Sequence, residues 1–137
     1  MDKALNYLSL ARKAGKLELG EEPAGSAARA QHARLVVVAQ DASDHTWRRA
    51  KSFVAGTGQE CVRLHYSKEE LGAAVGRQAL AIAALTDPAL ALAFLKALPE
   101  PEKCKEAIEN LDKRTKRIQQ RRSEEKAHQR NRKLGKK

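Results

Sequence analysis

Apolar positions in residues 1–98 switch repeatedly between a helical period and a strand pattern, so the sequence predicts alternating helices and strands. The first helix is predicted from an apolar stripe followed by two cations and a glycine. That stripe consists of Ala4, Leu5, Leu8 and Ala11. Four further helices are predicted from residues that favour helix starts. These starts lie in the stretch containing Pro23, near Ser43 or Asp44, at Ser67 and at Asp87.

Strands are predicted where the apolar residues run continuously or alternate. The runs "RLVVVAQD" at 34–41 and "LAIAALTD" at 80–87 are typical of buried strands, and "CVRLHY" at 61–66 alternates. The short "LEL" at 17–19 is predicted to be an edge strand. Strands that alternate with helices over short distances indicate an α/β fold, and we expect a three-layer α/β/α sandwich.

Charge divides the chain after residue 98. Residues 1–98 carry 13 Lys and Arg against 10 Asp and Glu, whereas residues 99–137 carry 14 against 7. The segment "PEPEK" at 99–103 separates the two parts, and beyond it Ile108, Leu111, Thr115 and Ile118 keep a helical spacing. We therefore expect a sandwich domain over 1–98 and a basic, helical or partly disordered extension over 99–137.

Several functional classes find no support in the sequence. The longest apolar run, at 79–86, is much shorter than the ~20 residues of a membrane span, and the N-terminal segment lacks a signal-peptide pattern. Two isolated cysteines and four scattered histidines provide neither a disulfide framework nor a metal motif. Nothing pairs a nucleophile with a base at a recognisable spacing. We expect a cytoplasmic protein that is not an enzyme, with no cofactor and no metal.

Nucleic-acid binding is the function that the basic extension favours. A basic stripe can lie along a phosphate backbone and release its counterions. The alternative is that the charged residues of the extension only improve solubility. The cations that we expect to contact nucleic acid are Arg114, Lys116, Arg117, Arg121 and Arg122.

The stretch "LGEEPAGSAARA" at 19–30 is a second candidate ligand site, because a helix start offers free N–H groups to an anion. Gly20 and Gly25 are spaced as in a phosphate-binding loop, but Ser26-Ala27 replaces the required Lys-Ser/Thr. Glu21 and Glu22 would also repel a phosphate. The stretch is therefore not predicted to be a nucleotide-binding loop.

Four blocks in order and spacing resemble the ribosomal L-seven-Ae/L-thirty-e family, most closely its small bacterial members of the YlxQ type. The blocks are "YLSLARKAGKLELGEE", "ARLVVVAQDAS", "SKEELGAAVG" and "ALAIAALTD". They cover roughly residues 3–98. The resemblance implies an α/β/α sandwich that binds kink-turn RNA through a helix start of the form Gly-x-Asn-Glu-x-x-Lys and through the loop after the "ELG" helix.

Residue by residue, this chain keeps the glycine of that site but replaces the side chains through which the resemblance implies RNA recognition. Gly20 matches the family glycine, whereas Glu22-Pro23 stands where binders carry Asn-Glu, and Ser26 stands where they carry Lys. The resemblance therefore implies structured-RNA contact with a degenerate kink-turn motif. The residues expected at this RNA site are Lys16, Gly20, Glu21, Glu22, Ser26, Gln40, Asp41, Arg77, Gln78, Ala79 and Leu80.

Two functions remain open from the sequence. The first is a ribosome-associated or structured-RNA-binding protein whose basic extension provides electrostatic affinity. The alternative is a protein–protein adaptor that has lost RNA readout and uses Ile108, Leu111 and Ile118 to pack on a partner helix or a second copy.

Overall fold

The computed structural model describes residues 2–133, and within them the side chains of residues 2–118 and 120–127. Residues 134–137 of the predicted extension lie outside the described residues. The described helices are α1 (Lys3–Lys13), α2 (Glu21–Arg29), α3 (Asp44–Val54), α4 (Lys68–Val75), α5 (Pro88–Lys96), a short 3₁₀ helix (Pro101–Cys104) and α6 (Lys105–Lys133). The described strands are β1 (Leu17–Leu19), β2 (Leu35–Val38), β3 (Glu60–Arg63) and β4 (Ile82–Leu85).

The four strands form one mixed sheet in the order β1-β4-β2-β3. β2 runs parallel to β3 and antiparallel to β4, with Val38 opposite Ile82, and β4 runs antiparallel to β1. Every residue of the two central strands, β2 and β4, is buried. The prediction of two buried strands and of an edge strand at 17–19 is confirmed.

Helices cover both faces of this sheet. α2 and α3 pack against each other and the sheet, and α1, α4 and α5 pack together as the other layer. The largest fully buried side chains include Phe94, Leu8 and Leu71 of the α1/α4/α5 layer, whereas α2 and α3 bury small residues such as Ala28 and Ala50. The predicted three-layer α/β/α sandwich is confirmed.

Helix starts follow the capping residues read from the sequence. The Ser67 hydroxyl accepts the Glu70 N–H at 3.1 Å while the Glu70 carboxylate accepts the Ser67 N–H at 3.0 Å, a complete capping box. Asp87 likewise accepts the Leu90 N–H at 2.9 Å, with Pro88 in the first turn.

The first part of α6 is packed onto the sandwich. Ala107, Leu111 and Thr115 are buried, and α6 lies against α5 and the edge strand β3. The Asn110 amide also donates to the Glu60 carboxylate at 2.9 Å. The middle of the stripe, Leu111 and Thr115, is thus covered within the chain, whereas Ile108 and Ile118 are half-buried. The boundary that we expected after residue 98 stays a prediction.

Candidate functional site

The two segments expected to form one site meet at one edge of the sheet. The Gly20 N–H, at the start of α2, donates to the Ile82 carbonyl at 3.0 Å, where the loop after α4 enters β4. At the same edge the Ala39 N–H donates to the Ala81 carbonyl at 2.9 Å, just after β2. This edge, formed by Gly20–Glu22, residues 40–41 and residues 77–80, is called the loop edge below.

The start of α2 presents few free donors at the loop edge. Gly20 has a φ of 97°, which a residue with a Cβ adopts only with strain, and its own N–H is used by Ile82. Glu21 and Glu22 are the first two helical residues, and their amides lack intrahelical acceptors. Pro23, the third, has no N–H. The helix start therefore offers two backbone donors next to two carboxylates.

Glu21 is held in an ion pair with Arg49. Its Oε1 accepts from Arg49 Nε at 2.6 Å, and the Arg49 guanidinium lies 5.3 Å from the centroid of the Phe53 ring. Arg49 thus offsets one of the two negative charges at the loop edge, whereas Glu22 remains exposed to solvent. The pairing of Arg49 with Glu21 is not visible in the sequence, because the contact joins two helices and residues 28 positions apart.

The loop after α4 is positioned by a close backbone approach. A Cβ at Gly72 would lie 2.7 Å from the Arg77 carbonyl oxygen and 2.8 Å from the Ala79 backbone. Gly72 therefore lets the loop lie directly against α4, and this is a physical reason for the glycine in "ELG". Arg77, Gln78 and Ala79 are exposed, whereas the Leu80 side chain is buried in the core.

Gln40 and Asp41 lie at the loop edge, and backbone contacts hold both. The Asp41 carboxylate accepts the Lys68 N–H at 2.8 Å, which ties the end of β2 to the start of α4. The Gln40 carbonyl accepts from the Arg63 guanidinium at 3.0 Å, and the Gln40 side chain is exposed. Asp41 thus has a structural role, because it connects β2 to α4, besides lying at the loop edge. Lys68 and Arg63 are residues of this edge that the sequence did not reveal.

Lys16 does not join the loop edge. It precedes β1 whereas Gly20 follows it, so the strand separates the two by about 13 Å. The Lys16 carbonyl accepts the Thr86 N–H at 2.9 Å, at the opposite end of β4. Lys16 and Ser26 line a separate open cleft of about 520 Å³ beside the outer edge of β1. Lys16 is therefore placed away from Gly20, and its expected contact with RNA stays a prediction.

The cations of α6 differ in their surroundings. Lys116 pairs with Asp112 at 3.1 Å, one helical turn away. Arg114 is half-buried against the loop that precedes β3, whereas Arg117, Arg121 and Arg122 are exposed. Asn110 of α6 contacts Glu60, which pairs with Leu35 at the end of the sheet opposite the loop edge. A helix of 29 residues is about 43 Å long, so α6 carries its cations along a surface separate from the loop edge.

The two cysteines, Cys61 and Cys104, are half-buried. Burial raises the pKa of the Cys61 thiol to about 12, and burial also raises the pKa of Cys104. Both shifts lower the thiolate population and with it thiol reactivity. Within residues 2–133, no group of three or more His, Cys, Asp or Glu side chains has the arrangement of a metal site. None of the described helices is long and apolar enough to cross a membrane.

Comparison with known proteins identifies a family model that matches residues 2–93, described as the ribosomal protein L7Ae/L30e/S12e/Gadd45 family. One relative is the RNA-binding protein YlxQ of Enterococcus faecium. It is 36% identical over 75 residues, which make up 55% of this chain and 72% of the relative.

Two solved structures resemble the fold. A protein of unknown function from Bacillus halodurans matches with a TM-score of 0.62 and 24% identity, over 69% of this chain and 98% of that one. A 15.5 kD RNA-binding protein from Giardia lamblia matches with a TM-score of 0.58 and 20% identity, over 72% of this chain and 84% of that one. At these identities the two matches support the sandwich fold alone.

Proposed function

The chain belongs to the ribosomal protein L7Ae/L30e/S12e/Gadd45 family, and we propose that it is a non-enzymatic, cytoplasmic RNA-binding protein that recognises structured RNA. The observation that carries this proposal is the loop edge. The helix start and the loop through which the family resemblance implies RNA contact lie side by side, joined by the hydrogen bond from Gly20 to Ile82. A relative named as an RNA-binding protein supports it.

Recognition at the loop edge is expected to depend mainly on shape. Glu22 can accept hydrogen bonds but not donate them, and the neighbouring Pro23 has no side-chain polar atom. Ser26, which lines the cleft beside β1, lacks a charge. A site with these residues provides little base readout compared with the Asn, Glu and Lys that the resemblance implies. The exposed Arg77 and Gln78 and the backbone amides of Glu21 and Glu22 are the remaining donors.

Electrostatic affinity is assigned to α6. Its exposed cations include Arg117, Arg121 and Arg122, and each phosphate that they neutralise makes binding more dependent on salt. The adaptor alternative loses its main support, because Leu111 is 1% exposed and packs within the chain. The central residue of the apolar stripe is therefore not available to a partner helix.

The test compares binding of the full chain to a kink-turn RNA and to a plain duplex of equal length, each at two salt concentrations. Arg77→Gln removes a cation from the loop edge, and Arg29→Gln removes another exposed cation, at the other end of α2. We expect wild type to prefer the kink-turn RNA and Arg77→Gln alone to reduce that preference. Equal binding of both RNAs by wild type would refute shape recognition at the loop edge.

Restoring the residues of the family pattern tests whether kink-turn preference can be increased. In the variant E22N/P23E/S26K, we expect stronger kink-turn preference with little change in duplex binding. The double variant Arg121→Gln/Arg122→Gln should lower the affinity for both RNAs to the same degree. It should also reduce the slope of log K against log salt concentration by about two. An unchanged slope would refute the proposal that the cations of α6 neutralise RNA phosphates.

A further inference from the structure

The strand β3 is an edge strand whose outer side carries unpaired backbone groups. It ends the strand order β1-β4-β2-β3 and pairs with β2 alone. The Leu64 N–H donates to the Val38 carbonyl at 2.8 Å, and the Tyr66 carbonyl accepts an N–H from the segment after β2 at 2.8 Å. Because successive residues of a strand alternate in direction, the N–H and carbonyl groups of Cys61 and Arg63 point outward, away from β2.

These outward groups match the main chain of another strand. Within the described part of the chain, Cys61 and Arg63 have no backbone hydrogen-bond partner on this side. The two residues are two positions apart, so their outward groups repeat about every 7 Å, as in any extended chain. Such an edge is a template for strand pairing, and a segment that adds to it gains affinity from main-chain hydrogen bonds.

A groove lies along this outer side, and it is called the β3 groove below. It consists of two cavities, of about 260 Å³ and about 330 Å³, that share Cys61 and Cys104 among their lining residues. Trp47 of α3 forms one wall, and Leu98 and Pro99, which follow α5, form the opposite wall. The edge of β3 is therefore recessed between the two helical layers of the sandwich.

The Trp47 wall is held in place and carries positive charge. The Arg63 guanidinium lies 5.8 Å and the Lys51 ammonium 5.4 Å from the centroid of the Trp47 ring. Arg63 is itself fixed, because it donates to the carbonyls of Gln40 and Ala42 at 3.0 and 3.1 Å. Among the residues that the structure describes, no carboxylate lies within 4.0 Å of Arg63 or Lys51. This wall therefore favours acidic side chains in a ligand.

The carboxylates that border the groove lie at its other wall and at its far end. Glu100 pairs with Lys103, and Glu60 accepts from the Asn110 amide at 2.9 Å. Glu106 is exposed in the first turn of α6. Acidic ligand groups are thus attracted to the Trp47 wall, whereas the opposite wall suits apolar side chains.

We propose that the β3 groove binds an extended segment of a protein partner, with alternating acidic and apolar residues, as an added strand of the sheet. Its main chain pairs with Cys61 and Arg63. Its acidic side chains lie on the face of Trp47, and its apolar side chains pack on Leu98 and Cys104. A polypeptide matches the alternating donors and acceptors of the edge, whereas an RNA phosphate only accepts. A second copy of this chain would bring its own two walls to the same place. The groove goes beyond the proposed RNA binding and does not depend on it.

The probe is a peptide of about eight residues, within the usual length of a strand, in which valine alternates with glutamate. We expect it to cause saturable shifts of the Cys61 and Arg63 amides in ¹⁵N-labelled full chain. Hydrogen exchange at these two amides should also slow, because they gain acceptors. No saturable shift of either amide at about 1 mM peptide would overturn the proposal.

Backbone methylation of the peptide tests strand addition directly. One form is N-methylated at its valines and the other at its glutamates, and only one of these two sets of N–H groups points at β3. One form should therefore bind about tenfold more weakly than the other, since it loses main-chain hydrogen bonds. Equal affinities of the two forms would show that no strand is added.

Two charge reversals on α3 test the face on which the acidic side chains lie. Lys51→Glu alters the Trp47 wall, whereas Arg48→Glu makes the same change at an exposed neighbour. We expect Lys51→Glu to weaken the peptide by about fivefold and Arg48→Glu to have little effect. Equal effects of the two variants would refute charge complementarity at this wall.

Other occupants of the groove give different results. Shifts of the Cys61 and Arg63 amides with oligouridine but not with the peptide would assign the groove to RNA and reject the proposal. Shifts that depend on protein concentration alone would assign it to a second copy. Peptide binding by a chain without kink-turn preference would support the groove and refute the proposed function, so the two failures are distinguishable.

Discussion

Replacing Leu111 by alanine measures whether α6 belongs to the cooperative fold. Leu111 is 1% exposed and lies where α6 packs against α5 and β3. The change removes three carbon atoms, which at about 0.8 kcal/mol each corresponds to about 2.4 kcal/mol of lost burial. The cavity left behind adds to this, because measured losses for buried Leu→Ala changes range from about 2 to 5 kcal/mol. We expect the free energy of unfolding to fall by about 3 kcal/mol.

Urea unfolding followed by fluorescence measures this loss, because Trp47 is the single tryptophan of the chain. Trp47 lies on α3 and lines the same cavity as Leu98 and Cys104, so its emission reports on the sandwich rather than on α6 itself. A lower urea midpoint with an unchanged m-value would indicate a stability loss within the same two-state transition. Circular dichroism should follow the same curve, since α6 contributes much of the helix.

Leu10→Ala is the matched control, because Leu10 is 52% exposed and its truncation should cost less than about 0.5 kcal/mol. Docking of α6 in the cooperative fold is refuted if Leu111→Ala costs no more than this control. It is also refuted if helix is lost at a lower urea concentration than the fluorescence transition, because α6 would then undock as an independent unit.

Three further predictions concern the loop edge, a helix cap and a thiol. Gly72→Ala should destabilise the fold by about 1–3 kcal/mol in thermal unfolding, because the added Cβ meets the backbone of the loop after α4. Ala73→Ser, at the exposed neighbouring position, should have little effect. Equal melting temperatures of the two variants would contradict this. Ser67→Ala removes one half of the capping box and should cost about 1 kcal/mol in urea unfolding, against almost nothing for Ser52→Ala on α3. Because burial raises the pKa of Cys61 to about 12, its thiolate is scarce below that pH, and iodoacetamide at pH 8 should label it far more slowly in native than in unfolded protein; similar rates by mass spectrometry would refute this.

Most elements of this fold were predictable because their signals are local. The continuous run in β2, the Ser67–Glu70 capping box and the Asp87-Pro88 helix start each depend on residues within a few positions of one another. Alternation of such elements then favoured an α/β/α sandwich. The resemblance to the family followed from the same ordered blocks, and with it came the two segments that meet at the loop edge.

What the sequence by itself determined is therefore the kinds of element, their order and the basic character of the C-terminal extension. Only the tertiary structure decided which distant residues meet, because that depends on the insertion of β4 between β1 and β2 and on the packing of α6. It separates Lys16 from Gly20 and pairs Glu21 with Arg49. It also places Arg114 on Gly58 beside the buried Gln59, since contacts between elements arise from close packing that local periodicity does not encode.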